Sequence, residues 1–307
     1  MSENQDSHSG WNGPAPFANT PPIGLAPELQ AQEDVLPDWT TLWPDLPEDS
    51  YAAADALWWS RKLGTPQALG ADVAPLLADE SDARAVQSAL ARTWGWWPAD
   101  RAPRYWKSGG PSRDAALLHV PLPENGIHQG VALAPVPQAV FNLRGAEAEI
   151  ALRVGQDISA EQAAALDYDS ALALVDGVTV AVEWVDVRWR DGLKAPALAL
   201  LADGQCHGGL ALGEWLPAST ITGRDWAKQL CTVSVNGGAP QHFTGTHSLG
   251  DPAWLLLDWL QHVAREYGSV PAGTVVTTGT WCGCMPLNAG DRFEMQFEGL
   301  GQLGWQF

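Results

Sequence analysis

One stretch, GAEAEIALRV at residues 145–154, limits the fold more than any other. Apolar and polar side chains alternate along it at period two, the pattern of a β-strand. Ala148, Ile150, Leu152 and Val154 fall on one face, and Glu147 and Glu149 fall together on the other. Two carboxylates on neighbouring positions of one face repel unless a cation lies between them or one takes up a proton. Read alone, the pair also fits an ordinary solvated strand face.

A second segment, VAVEWVDVRW at 180–189, tips this balance. Its alternation puts Glu183 among Ala181, Val185 and Val187, on the face expected to point inward. A carboxylate buried without a partner is costly, so a metal or a counter-charge is expected there. Glu147, Glu149 and Glu183 form a hard, all-oxygen donor set, which suits Mg²⁺ or Mn²⁺ better than zinc.

These residues carry a family resemblance. Glu147 and Glu149, followed by AVEWVDVR at 181–188, resemble the 2-keto-4-pentenoate hydratase branch of the fumarylacetoacetate hydrolase superfamily. In order, GDP at 250–252, AGTVVTTGT at 272–280, NAGDR at 288–292 and EGLG at 298–301 are similar to that branch as well. LADGQ at 201–205 is similar to its "L-A-D-N-Q" segment, with Gly204 where Asn is usual. RYWKSGG at 104–110 resembles its "G-W-K-x-G" strand and turn. The resemblance covers roughly residues 50 to 307, and the ordered set is more specific than any motif alone. It implies an α+β fold, a mixed β-roll or β-sandwich with a small N-terminal helical lobe. It also implies an active-site role for Lys107, a catalytic or pocket-lining role for Asp203, and substrate contacts from Gln205 and from Thr280, where the family often has Ser.

Composition bounds the partners. A net charge of -19 and a pI near 4.5 argue against nucleic acid and anionic membrane surfaces. No apolar run is long enough to span a bilayer, and no basic residue followed by an apolar stretch opens the chain. Cys206, Cys231, Cys282 and Cys284 contain no C-x-x-C pair, so reduced thiols in a cytoplasmic protein are expected. A thiolate site from Cys282, Cys284 and His207 is the alternative use of these residues. Seventeen tryptophans cluster at Trp58-Trp59, Trp94, Trp96-Trp97 and Trp106, which points to packing between helices and subunits in a homo-oligomer, or to an aromatic substrate wall.

Residues 1–50 hold eight prolines and nine acids but no Lys or Arg. Such a segment cannot bury enough surface to offset its ordering entropy. It reads as a disordered or loosely docked extension with Trp39 and Trp43 as anchors. The catalytic domain then spans 51–307, with a helical lobe at 51–115 and the β-roll at 116–307. Helices are expected at 51–63, stopped by Gly64, and at 82–94, capped by Ser81 and stopped by Gly95. SAEQ at 159–162 is a capping box. Segments 178–189 and 197–203 read as buried strands, and 232–235 with Asn236-Gly237 as a hairpin. Asp251-Pro252 reads as the start of a helix that Gly268 ends. The proline-rich segment 117–140 falls where the family often has a loop over the active site.

From the resemblance, the expected chemistry is hydration of a 2-hydroxy-2,4-dienoate to a 4-hydroxy-2-oxo acid, with Mg²⁺ or Mn²⁺ on the three glutamates and a small 2-oxo acid as partner. Lys107, near a metal and an apolar wall, is expected to lose its proton more easily and to serve proton transfer. Asp186 and Arg188 fit a structural ion pair as well as a catalytic one. Decarboxylation of a 2-oxo acid and hydrolysis of an acylpyruvate are the alternatives within the superfamily. The hydrolases' "N-Y-x-x-H-x-x-E" pattern is missing, although His119, Glu124 and His128 leave a substitute pair open. A non-catalytic metal-binding assembly module is the alternative of another class.

Overall fold

Alternation along 145–154 does produce a strand, and it becomes the middle of the largest sheet. The computed structural model describes residues 40, 43–44, 46–67, 77–97, 101–130, 134–135 (backbone only) and 142–307, all within one compact unit, Leu36–Phe307. Most of the acidic extension and of the proline-rich segment beyond Gly130 lie outside the described residues, as does Trp39. Trp43 is described and is only 2% exposed, packed in a cluster with Leu46, Leu57 and Val187. The packed part of the chain therefore begins before residue 50.

The strands that matter here are β1 (Tyr105–Gly109), β2 (Leu118–Pro121), β3 (Ile127–Gln129), β4 (Gly145–Val154), β5 (Val175–Val185), β6 (His207–Leu212), β7 (Leu230–Val235), β8 (Gln241–Thr244), β9 (Val275–Thr277), β10 (Arg292–Phe297) and β11 (Gly301–Gln306). The helices that matter here are α1 (Tyr51–Leu63), α2 (Glu80–Trp94), α3 (Ala197–Ala202) and α4 (Leu256–Tyr267), besides two short helices, Ala160–Ala164 and Tyr168–Ala173, and several single turns. The large sheet runs β2-β1-β9-β4-β5-β6-β3, and a second sheet runs β8-β7-β10-β11 with Ala134–Pro135 on its edge. Val180 and Val182 of β5 share one core with Phe293, Phe297 and Leu303 of the second sheet, so this core lies between the sheets. The architecture is the mixed α+β expected. One boundary differs, because β1 belongs to the large sheet and pairs in parallel with β9, instead of staying in a separate lobe ending at 115.

Local signals explain most elements. Helix α1 ends at Gly64, whose φ of 64° places it in the left-handed region that a glycine enters without cost. The cap of α2 is Asp79, not Ser81, and its carboxylate accepts from the Ser81 and Asp82 amides. Ser159 and Gln162 form the expected capping box. The β7–β8 hairpin turns through Asn236 and Gly237, both at positive φ. Helix α4 starts at Leu256, later than the Asp-Pro pair suggested, because Asp251 instead accepts from the Ala253 amide in a local turn. It buries Leu256, Trp259, Leu260 and Val263, each worth about 1.5–3 kcal/mol when fully buried.

Segment 197–203 is a correction, since it forms helix α3 and not a strand. Its run of Ala and Leu carries no β-branched residue and follows Pro196, so helix propensity wins where a short apolar run has no readable period.

Candidate metal and active site

Register builds the acid cluster. Strands β4 and β5 are antiparallel with Glu147 directly opposite Glu183, and Glu149 lies two residues along the same face. One carboxylate oxygen from each of the three lies within 4.8 Å of the others. Glu149 is 2% exposed and Glu183 is fully buried, which excludes the solvated-face reading.

Each acid is held from a different direction. Glu149 Oε2 accepts from the Thr277 hydroxyl of β9, and from the Gly279 amide at 2.9 Å. Glu183 Oε1 accepts from Lys107 Nζ at 2.7 Å and pairs with His207 Nδ1 at 3.0 Å. Glu183 Oε2 is buried with no hydrogen-bond partner. An orphaned carboxylate oxygen inside a cluster of three acids is what a site for a hard divalent cation presents, so the residues fit Mg²⁺ or Mn²⁺.

The electrostatics follow from this crowding. Burial first, then Glu183, pushes the Glu147 carboxyl up to about 7. Burial first, then Glu183 and Glu147, pushes Glu149 up to about 8, against the pull of Lys107 and Thr277. Lys107 is a correction. Burial works to lower its pKa, as expected, but Glu183, Glu147 and Glu149 outweigh burial and hold it above the usual lysine value. Its side chain is 18% exposed and it stays an ammonium.

A cavity of about 410 Å³ opens beside the cluster, with Lys107, Glu147, Glu149, Gln205, Gly279 and Thr280 along its walls. Gln205 enters through backbone geometry. Gly204, Gln205 and Cys206 all have positive φ, at 70°, 52° and 65°, and this turn aims the Gln205 carbonyl at Lys107 Nζ, 3.0 Å away. The Gln205 side-chain oxygen is buried and unpartnered. Thr280 receives the Cys282 amide on its hydroxyl and donates to the Gly283 carbonyl, both at 3.3 Å. A side chain at Gly204, where the family has Asn, would start with no atom within 4 Å, and Gly204 itself does not line the cavity.

Asp203 lies off the cavity. It is fully buried, accepts from the Arg188 amide at 2.8 Å, and pairs with Arg61 at 3.2 Å and with the Arg188 guanidinium at 3.4 Å. Burial and then Arg188 lower the Arg61 pKa to about 9, against Asp203. Asp186 faces Arg188 at 3.7 Å and accepts from the Asn142 and Leu143 amides, so the Asp186–Arg188 pair is structural.

His119 and His128 do not line the cavity either. His119 meets Ser108 at 2.8 Å and Asp258 of α4 at 3.0 Å, and His128 stacks on Trp184. The cysteines are free, and among the described residues the glutamate triad is the group able to hold a metal. Burial keeps the Cys282 thiol up at about 11 and holds the Cys284 thiol well above its ordinary value, which disfavours the thiolate alternative.

Sequence reasoning missed His207 as a partner of Glu183, having grouped it with the cysteines. It also missed Thr277 and the apolar wall of Leu118 and Val120. For Thr277, the alternation of VVT against β4 carried the signal.

Comparison with known proteins bears on the family and the fold. The sequence model of the fumarylacetoacetate (FAA) hydrolase C-terminal family matches residues 122–307. A 2-hydroxyhexa-2,4-dienoate hydratase of Comamonas testosteroni is 31% identical over 166 residues, covering 53% of this chain and 59% of that protein. A 4-oxalocrotonate decarboxylase of a Pseudomonas species is 27% identical over 135 residues, covering 44% of this chain and 51% of that protein. The matches thus span little more than half the length of these curated relatives. The structure of 4-oxalocrotonate decarboxylase from Pseudomonas putida G7, complexed with magnesium and adipate, superposes with a TM-score of 0.67 at 18% identity, covering 85% of this chain and 97% of that one, and shares its fold. With more than half of its length matched by the family model, the chain belongs to the fumarylacetoacetate hydrolase family.

Proposed function

We propose that this chain is a divalent-metal-dependent hydratase that adds water to a 2-hydroxy-2,4-dienoate and releases a 4-hydroxy-2-oxo acid. The observation that carries the reading is the contact of Lys107 with Glu183 at the edge of a three-glutamate cluster, beside a cavity of substrate size. Glu147, Glu149 and Glu183 hold Mg²⁺ or Mn²⁺, as their donor chemistry and the orphaned Glu183 oxygen support. When bound, the ion supplies Lewis-acid stabilisation of negative charge on the substrate's 2-oxygen.

The remaining steps use this chain's own side chains. The substrate's 2-hydroxyl gives up its proton and C5 gains one, which makes a 2-oxo-3-enoate. Water then adds at C4 while C3 takes a proton. Lys107, held as an ammonium, is the acid that delivers a proton to carbon, and its neutral amine is the base that recovers one. The unpartnered side-chain oxygen of Gln205 accepts from the incoming water or the product hydroxyl. Thr280 offers its hydroxyl to the substrate carboxylate when that hydroxyl turns away from the Gly283 carbonyl it meets at 3.3 Å. Asp203, expected as a catalytic group, is reassigned to positioning: it anchors Arg188 and Arg61 beneath the turn that carries Gln205.

The reading includes a cytoplasmic setting, supported by four free cysteines. It also includes self-association, supported by Trp94, exposed to 38% and in ring contact with Trp58. No helix among the described residues is long and apolar enough to cross a membrane. Decarboxylation is the second reading, favoured by the relative named for it. Incubation of 2-hydroxypenta-2,4-dienoate with protein and Mg²⁺, followed by product analysis, tests the proposal. A 4-hydroxy-2-oxo acid that disappears with chelator supports it. Carbon dioxide from 4-oxalocrotonate, with no hydration of the dienoate, sinks it, and so does turnover that ignores chelator.

A further inference from the structure

The two ends of the cavity differ in chemistry. Strand β2 lies at the edge of the large sheet, on the side of β1 away from the strands that carry the glutamates. Across the β1–β2 ladder, Val120 pairs with Lys107 and Leu118 pairs with Gly109. His119, between them, turns to the opposite face to meet Asp258, so Leu118 and Val120 share the Lys107 face and line the cavity. Gly109 and Gly110 add no side chain there, and Pro111 continues the apolar wall. Moving outward from the metal ligands, a bound molecule therefore passes Lys107 and then meets hydrocarbon.

Charge is distributed just as unevenly. Among the described residues lining the cavity, the charged ones are Lys107, Glu147 and Glu149, and the lysine is already engaged by Glu183 and the Gln205 carbonyl. Ser248, also on the wall, spends its hydroxyl proton on the Gly110 carbonyl. Among the described lining residues a second carboxylate at the far end would find no free cation, and burying an unpaired carboxylate against Leu118 and Val120 is costly. A volume of about 410 Å³, at roughly 30 Å³ per water-sized group, holds on the order of a dozen heavy atoms. That leaves room for a tail beyond the reacting carbons.

Resting on the hydratase reading for the orientation of the substrate, we infer that the substrate is a monocarboxylic 2-hydroxy-2,4-dienoate. Its apolar tail sits on Leu118 and Val120, and the corresponding dicarboxylates are excluded. Leu118 and Val120 are then the specificity-determining residues.

The test uses full-length protein with Mg²⁺ and two probes of equal chain length, 2-oxohexanoate and 2-oxohexanedioate, titrated by calorimetry. The monoacid is expected to bind at least tenfold tighter, and Leu118→Arg, at a half-buried position, is expected to shrink that ratio tenfold or reverse it. Turnover of 2-hydroxyhexa-2,4-dienoate and of 2-hydroxyhexa-2,4-dienedioate is measured in parallel. Equal or tighter diacid binding by the unaltered protein overturns the inference, and so does binding of neither probe. Hydration of both dienoates at similar kcat/KM also overturns it while leaving the hydratase reading standing. Preferential monoacid binding without any water adduct does the reverse: the selection of monoacids by Leu118 and Val120 stands and the hydratase reading falls.

Discussion

Lys107 and Glu149 line one cavity but differ in what their loss removes. Glu149 contributes a donor oxygen held by Thr277 and Gly279, so Glu149→Gln deletes a charge and a coordination bond while keeping the shape. Calorimetry should show Mg²⁺ binding lost with the melting temperature unchanged or raised, and turnover should fall with it. Lys107→Met should instead keep Mg²⁺ binding and lose about 10²–10⁴-fold in kcat, the usual weight of a proton-transfer group. If the lysine variant keeps wild-type kcat, the acid–base assignment is wrong. The glutamates were legible from alternation alone, because the period of a strand decides which side chains share a face. The direction of the Lys107 shift was not, since it depends on how three distant carboxylates converge, and no spacing encodes that.

Turn and strand geometry governs the next level. Gly204 lies at φ 70° with nothing within 4 Å of where a side chain would start, so a substitution there is resisted by the backbone and not by crowding. Gly204→Asn should be close to neutral, since Asn visits the left-handed region, whereas Gly204→Val should cost about 1–2 kcal/mol in denaturant melts. The valine variant should also lose turnover, because the Gln205 carbonyl would leave Lys107. A valine variant as stable and active as the parent would show that the turn does not position the site. Helix α3 shows the opposite kind of legibility. ALALLA at 197–202 has no period long enough to read, and its helix propensity is joined by packing against α2 and by the Trp189 indole, which donates to the Ala199 carbonyl at 2.8 Å.

At the scale of the molecule, stability and the site share one acid cluster. Glu147 and Glu149 have folded-state values of about 7 and 8, above the ordinary Glu value of about 4.3. The folded state thus binds more protons than the unfolded state between those limits, and the stability this confers is lost as pH rises through 7 to 8. Metal-free protein in chelator should melt lower at pH 9 than at pH 6, and Mg²⁺ should recover more at pH 9. Melting temperatures independent of pH with chelator present would remove the basis for this. Trp43, 2% exposed, should cost about 3–5 kcal/mol when changed to Ala, while deletion of residues 1–34 should leave the melting temperature nearly unchanged. The fold class was legible because ordered motifs run through most of the chain. The true start of the packed region was not, because composition cannot tell a buried tryptophan from a loose one. One pairing has a further consequence. Strand β9, near the end of the chain, is inserted between β1 and β4 and supplies the hydroxyl that holds Glu149 from 128 positions away. During synthesis, the lysine strand and the glutamate strand therefore have no neighbour to join them until residue 277 has left the ribosome. Closure waits on the slowest kind of contact, one distant in sequence. A nascent chain stalled short of that point carries every proposed metal ligand yet lacks the strand that brings Lys107 to them.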